Sequence, residues 1–324
     1  MKVSTERLSA ISEGTGFRLD MLEKMLILVS LLQSFFEDSY LRGRLALKGG
    51  TAINLFMRDL PRLSVDADLN YIGSHDVGVM KEERPHLEKV IVSICERQGL
   101  SVRRVPTEHA GGKWRLSYGS ALGQTGNLEL DINYMMRIPL WPVRFMDSSH
   151  LADFIANKIP VLDEIELAAG KLAALFARNA SRDLYDAHFL LTEAGLDFSM
   201  LRLAFTVYGG INRRDWREIS AQDIKYDLKE IEGSLLPTLK QEHFSHIDNI
   251  STWAENMLEE CREALKKLLP LEQNELEFIS LLNEKGEIHS ELLTDDERLR
   301  ELIDIQPGLQ WKAQNVRESK GLNA

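Results

Sequence analysis

Asp66 and Asp68 are the residues of this sequence best placed for chemistry, because they stand two positions apart in the run SVDADLNYI. Polar and apolar residues alternate over this run, residues 64–72, which predicts a β-strand with both carboxylates on one face. Mg²⁺ prefers carboxylate oxygens and completes its coordination with substrate phosphates and water. The pair therefore indicates a Mg²⁺ site for phosphoryl-group chemistry; the alternative is a solvated polar strand face.

A glycine pair lies shortly before these aspartates. A short apolar run that predicts a strand ends at Gly49 and Gly50, and Thr51 is the expected N-cap of the helix that follows. Backbone N–H groups in a side-chain-free turn can approach an anion, and a helix N-terminus attracts one. Ser64 adds a hydroxyl donor on the strand face, and Arg62 adds positive charge near the entrance. The pattern predicts a phosphate-binding turn beside the metal site.

A third carboxylate is often needed to accept the proton of an attacking hydroxyl and to bridge a second metal ion. The predicted strand LELDINY, residues 128–134, offers two on one face, Glu129 and Asp131. The spacing of the residues leaves both open, together with the alternative that this is a polar surface strand.

A fourth element is the helical segment 171–186. In an unbroken helix, Lys171, Arg178, Arg182 and Asp186 form one stripe. Lys171 would then reach nucleotide phosphates, and Asp186 would hold Arg182. The alternatives are an exposed, salt-bridged helix face and a helix broken near residues 179–181.

The order of the predicted elements indicates an α+β fold. The N-terminal half mixes both types, and the segment after about residue 163 is helical, beginning with a pair of helices. We therefore predict two domains, residues 1–160 with a small mixed sheet flanked by helices and residues 161–324 mainly α-helical. The first domain is expected to contain helices at 19–40 and 81–98 and strands at 45–48, 64–72, 100–105, 113–118 and 128–134.

The composition, 44% apolar with a net charge of −11, describes a globular chain. No run approaches the roughly 20 apolar residues of a membrane span, and the N-terminus lacks a signal-peptide pattern, so we expect a cytoplasmic protein. Cys95 and Cys261 stand far apart and predict neither a disulfide nor a thiolate zinc site. His243 and His246, without further ligands, are assigned no role.

Several of these segments together resemble the AbiEii-type nucleotidyltransferases, toxins of bacterial toxin–antitoxin systems with a catalytic domain of the polymerase-β type. The resemblance is found in KGGT at 48–51, RLSVDAD at 62–68, KLAALFAR at 171–178, RDLYD at 182–186 and WKAQNV at 311–316.

The resemblance implies that a nucleoside triphosphate binds over the glycine turn, with Mg²⁺, or Mn²⁺, as cofactor. It favours Asp131 over Glu129, since the family pattern places its third acid in a later strand of the same sheet. The implied catalytic residues are Asp66, Asp68, Asp131 and Lys171, and the first three are also the implied metal ligands. The implied nucleotide-binding residues are Gly49, Gly50, Thr51, Arg62, Ser64, Lys171, Arg178, Arg182, Asp183 and Asp186.

The resemblance also implies an RNA acceptor, the 3′ end of tRNA, whose modification blocks translation, and a separately encoded antitoxin that binds DNA. The net charge argues against indiscriminate nucleic-acid binding, but local basic residues are compatible with an RNA acceptor. Two alternatives stay open: transfer of a nucleoside monophosphate to a protein or small molecule, and nucleotide binding without catalysis. The local basic residues are Arg103, Arg104, Lys113 and Arg115.

Overall fold

The computed structural model describes residues 3–105, 111–242, 247 and 249–322; His243 and His246 therefore lie outside the described residues. The chain folds into two compact units. The first unit comprises residues 1–137, 143–162 and 232–248, and the second comprises residues 138–142, 163–231 and 249–324. The change from mixed to helical structure falls between residues 162 and 163, but each unit is assembled from discontinuous segments.

The first unit is built on a seven-stranded mixed sheet. Its strands are β1 Leu45–Leu47, β2 Asp66–Tyr71, β3 Ser101–Val105, β4 Gly112–Gly119, β5 Thr125–Asn133, β6 Arg144–Met146 and β7 Ile159–Val161. The order across the sheet is β3-β4-β5-β2-β1-β7-β6. The pairs β2–β5 and β1–β7 are parallel, and the other neighbours are antiparallel. The α+β prediction with a mixed sheet is thereby confirmed.

Helices of the first unit bury apolar side chains in its core. They are α1 Thr5–Thr15, α2 Leu19–Glu37, α3 Ser39–Arg42, α4 Gly49–Ala52, which continues into a π-helical turn Ile53–Met57, and α5 Val77–Arg97. The predicted helix 19–40 ends at Glu37 because Asp38 interrupts it. The Asp38 side chain accepts hydrogen bonds from the backbone N–H groups of Tyr40 and Leu41, both at 3.0 Å, and caps α3 instead.

The second unit is helical. Its longer helices are α6 Glu164–Arg178, α7 Ser181–Thr192, α8 Phe198–Ile211, α9 Ile250–Leu265, α10 Gln273–Lys285, α11 Glu297–Asp304 and α12 Pro307–Lys320. Phe176, Phe205 and Trp216 form an aromatic cluster in its core, with ring centroids 4.9 to 5.8 Å apart. Within the described part of the chain, no helix is both long and apolar enough to cross a membrane.

Candidate active site

Four carboxylates line one face of the sheet where β2 lies beside β5. The two strands run parallel, with Asp66 in register with Glu129 and Asp68 in register with Asp131. Registered partners in a sheet point to the same side, so all four side chains share a face. The residues between them in both strands are buried against the opposite face. The structure thus brings the three predicted acids and their competitor, Glu129, together.

The glycine turn packs directly against this acidic face. Gly49 has φ +74°, in the left-handed region that favours glycine, and a Cβ atom there would lie 2.5 Å from Asp68 Oδ2. A Cβ atom at Gly50 would lie 2.8 Å from both Arg62 Nη2 and Ser64 Oγ. The backbone N–H of Lys48 donates to the carbonyl oxygen of Asp68 at 2.9 Å. Both glycines are therefore required by close approach, and the turn lies against the predicted metal-binding strand.

Thr51 has a different role from the predicted one. Lys48 occupies the N-cap position of α4, and Thr51 lies inside that helix. The Thr51 hydroxyl oxygen is 3.0 Å from the carbonyl oxygen of Ser64 and 2.7 Å from that of Asp66, and it donates to this pair. The expectation of an N-cap is wrong because the hydroxyl binds carbonyls brought in by the fold.

Arg62 is buried, with only 2% of its surface exposed, and does not lie at an entrance as predicted. Its Nη1 donates to the carbonyl oxygen of Leu63 at 3.2 Å, and Arg62 forms an antiparallel bridge with Leu239. Ser64 is buried as well and precedes β2, which begins at Asp66. Arg62 and Ser64 therefore support the glycine turn from beneath.

Glu129 and Asp131 differ in their electrostatic surroundings. Lys113 Nζ lies 2.6 Å from Glu129 Oε2, and this hydrogen bond lowers the pKa of Glu129. Burial raises the pKa of Asp131; neighbouring Asp68 adds to this effect, while Lys48 opposes it. Glu129 is thus engaged in an ion pair, whereas Asp131 is a more basic carboxylate beside Asp68. Lys113 was predicted only as one of the basic residues compatible with an RNA acceptor, and its contact with Glu129 was not predicted.

The donor set suits a hard divalent cation. Among the described residues, no three His, Cys, Asp or Glu side chains are grouped so as to hold a metal ion by themselves. Mg²⁺ typically binds through one or two carboxylates and substrate phosphates, so the Asp66–Asp68 pair beside a side-chain-free turn fits it. The role of Asp131 as a further ligand stays a prediction.

Lys171 lies in a buried ionic cluster of the second unit. Its Nζ is 2.9 Å from Asp183 Oδ1 and 3.0 Å from Asp186 Oδ2, and its side chain is 8% exposed. The prediction of an unbroken helix is wrong, because α6 ends at Arg178, its C-cap Asn179 has φ +50°, and α7 begins at Ser181. The break turns α7 so that Asp186 contacts Lys171 rather than Arg182.

Arg178 completes this cluster at the surface. Its Nε lies 2.6 Å and its Nη2 3.0 Å from the two carboxylate oxygens of Asp183, a bidentate pair. Burial alone would raise the pKa of Asp183, but Lys171 and Arg178 outweigh it and hold that pKa below its usual value. The cluster fixes α6 to α7. Nucleotide binding by Lys171, Arg178, Arg182, Asp183 and Asp186 stays a prediction.

Comparisons with known proteins found a matching family model and a similar solved structure. A family model described as nucleotidyl transferase AbiEii toxin, type IV toxin–antitoxin system, matches residues 30–274. The structure is similar to that of MenT4, a nucleotidyltransferase toxin from Mycobacterium tuberculosis H37Rv, with a TM-score of 0.58 and 16% sequence identity. That similarity covers 95% of this chain and 99% of the other, and at this identity it shows the fold. No curated protein sequence matches.

Proposed function

The chain belongs to the AbiEii family of nucleotidyl transferase toxins of type IV toxin–antitoxin systems, and on that premise we propose what this nucleotidyltransferase modifies. It transfers a nucleoside monophosphate from a nucleoside triphosphate to RNA, at the 3′ end of tRNA, and thereby blocks translation. The observation that supports this proposal best is that Asp66, Asp68 and Asp131 share one face of the sheet beside the glycine turn.

Asp66, Asp68 and Asp131 have different roles in the proposed reaction. The acceptor hydroxyl oxygen attacks the α-phosphorus, its proton passes to Asp131, and the bond to pyrophosphate breaks. The raised pKa of Asp131 suits a proton acceptor better than the lowered pKa of Glu129 does. A Mg²⁺ or Mn²⁺ ion held by Asp66 and Asp68 would neutralise charge on the triphosphate.

The glycine turn receives the triphosphate in this proposal. Its backbone N–H groups can approach phosphate oxygens because Gly49 and Gly50 have no side chains in the way. The buried Arg62 and Ser64, within about 3 Å of the position of a Cβ at Gly50, hold the turn in its conformation. Lys171 is proposed to stabilise the triphosphate, as the family resemblance implies, with Arg178, Arg182, Asp183 and Asp186 as further nucleotide-binding residues.

A separately encoded antitoxin is the proposed partner, in accordance with the type IV family. We propose that it is a DNA-binding regulator that opposes the effect of the toxin. An adjacent small gene encoding a winged-helix protein would support this part of the proposal, and its absence would count against it.

A transfer assay tests the proposed function. The purified protein and Asp66→Ala are incubated with Mg²⁺, each labelled nucleoside triphosphate in turn, and total RNA together with cell protein. We expect label in small RNA with the unmodified protein alone. Label on protein would replace this function by modification of a protein, and no label in any fraction would indicate nucleotide binding without catalysis.

A further inference from the structure

The acidic face of the sheet continues into a basic one across β4 and β3. Lys113 is in register with Asp131, Arg115 with Glu129, and Arg103 with Arg115. Because registered partners point to the same side, these three cations share the face of the carboxylates. The charge on this face therefore changes sign from β2 and β5 toward the edge strand β3.

The outer cations of this face are open to solvent and have little neutralising contact. The Arg115 side chain is 57% exposed, and its guanidinium lies 3.8 Å from Glu129, which already holds Lys113 at 2.6 Å. Arg103 is exposed and forms no ion pair with any residue that the structure describes. Two guanidinium groups thus remain available to an anion.

Arg104 does not belong to this surface, although the sequence groups it with the others. It is in register with Trp114, which is buried on the opposite face. Its guanidinium lies 6.0 Å from the centroid of the Trp114 ring and 3.5 Å from Glu88. Arg104 therefore lies on the side of the sheet that carries Trp114, half exposed and next to Glu88, while Arg103 next to it faces the carboxylates.

The two groups that could bind phosphate, the glycine turn and the arginines, lie on opposite sides of the carboxylates in the sheet. The glycine turn follows β1 on one side of the acids, and the arginines lie on β4 and β3 on the other. With strands about 5 Å apart, Arg115 stands roughly 5 Å and Arg103 roughly 10 Å from β5. The triphosphate and the acceptor can therefore approach the carboxylates from opposite sides.

We propose that Arg103 and Arg115, with Lys113 nearest the carboxylates, form the surface that binds the phosphates of the RNA acceptor next to its reacting end. This inference rests on the proposed function, since it names where its acceptor lies. A polyanion laid across β3 and β4 contacts successive cations, which suits an RNA backbone. A local basic surface is also what a chain of net charge −11 needs to attract RNA.

The neighbouring arginines provide a matched test on the full-length protein. Binding of unfractionated tRNA is measured over a range of salt concentrations for Arg103→Ala, Arg115→Ala, the double variant and the control Arg104→Ala. We expect the double variant to bind at least about tenfold more weakly, with a salt slope reduced by about two, one for each lost phosphate contact. Arg104→Ala should keep both the affinity and the salt slope of the unmodified protein.

Transfer kinetics provide a second readout. The double variant should show a raised KM for RNA and an unchanged KM for the nucleoside triphosphate, because only the acceptor surface is altered. If the unmodified protein and the double variant both labelled RNA with the same KM for RNA, the proposed acceptor surface would be wrong. Transfer to RNA would still stand. If Arg104→Ala weakened tRNA binding as much as Arg103→Ala, the assignment to this face would also be wrong. If the unmodified protein labelled no RNA, the proposed function itself would be wrong. If its binding of tRNA were also independent of salt, the proposed acceptor surface would be wrong as well.

Discussion

Gly49 lies so close to Asp68 that a Cβ atom on the glycine would stand 2.5 Å from the Oδ2 of the aspartate. We expect Gly49→Ala to displace this carboxylate and to lower nucleotidyl transfer by about a hundredfold, since a shift of about 1 Å at a reacting group costs about that much. The positive φ of Gly49 should cost a further ~1–2 kcal/mol of folding free energy. Transfer rates and urea denaturation of the same preparation measure the two effects.

Gly14 provides the control for this substitution. It lies in α1 with no atom within 4 Å of an added Cβ. Gly14→Ala should leave transfer unchanged and should raise the free energy of unfolding by ~0.4–1 kcal/mol. Equal activity of both alanine variants would show that the close approach of Gly49 to Asp68 is not needed for catalysis.

Asp131 and Glu129 can be distinguished by substitutions that remove the charge and keep the shape. Asp131→Asn should lower transfer by about 10²–10⁴-fold, as expected for loss of a general base. Glu129→Gln should lower it less than about tenfold, because Glu129 is paired with Lys113. The reverse ranking in single-turnover assays would transfer the role of third carboxylate to Glu129.

Lys171 should contribute strongly to stability, whatever its part in catalysis. Lys171→Met leaves Asp183 and Asp186 as buried carboxylates without this partner, which should lower the free energy of unfolding by ~3–5 kcal/mol. Arg178→Met, at a side chain that is 65% exposed, should cost less than about 1 kcal/mol. Denaturation with and without a saturating nucleoside triphosphate tests the binding role too, since a variant that has lost phosphate contacts gains less stability from the ligand.

Glu166 gives the second unit a predicted dependence on pH. Burial raises its pKa from 4.5 to about 7, even though it accepts hydrogen bonds from Tyr208 Oη at 3.0 Å and the backbone N–H of Trp141 at 3.2 Å. Between about pH 4.5 and pH 7, Glu166 in the folded chain retains a proton that Glu166 in the unfolded chain has released. The free energy of unfolding should therefore fall as pH rises through this window, by up to ~1.4 kcal/mol per pH unit, and the contribution of Glu166 should become constant above it.

Glu166→Gln isolates this contribution. The variant keeps the shape of the side chain and cannot ionise, so its stability should lack this fall between about pH 4.5 and pH 7. Denaturant titrations of both proteins across the window make the comparison. Parallel pH profiles would mean that Glu166 titrates at its ordinary pKa in the folded protein.

Strands and helices that have a clear periodic pattern were predicted well from the sequence. The alternation in residues 64–72 placed Asp66 and Asp68 on one face, and the observed strand β2, Asp66–Tyr71, lies inside the predicted range. The helix predicted over 81–98 corresponds to α5, Val77–Arg97, which begins four residues earlier because Asp76 caps it. The α+β fold class follows from such local patterns.

Contacts between distant segments were not predictable in the same way. The hydroxyl of Thr51 finds its carbonyl partners, Ser64 and Asp66, through the packing of α4 on the start of β2 and the residues just before it, which no local pattern encodes. The strands β6 and β7 have three residues each, too few for a periodic signal. The break at Asn179 was signalled, because asparagine tolerates the left-handed conformation, but its effect on Lys171 required the fold.

The pairing of Arg62 with Leu239 also has a consequence for the order in which the protein is made. The backbone N–H of Leu63 donates to the carbonyl oxygen of Thr238 at 2.8 Å, so the loop between the glycine turn and β2 is completed by a segment encoded much later. A nascent chain, or a product of a prematurely terminated message, contains every carboxylate of the site before it contains this support. The ribosome must therefore read past residue 239 before the glycine turn can have this backbone support.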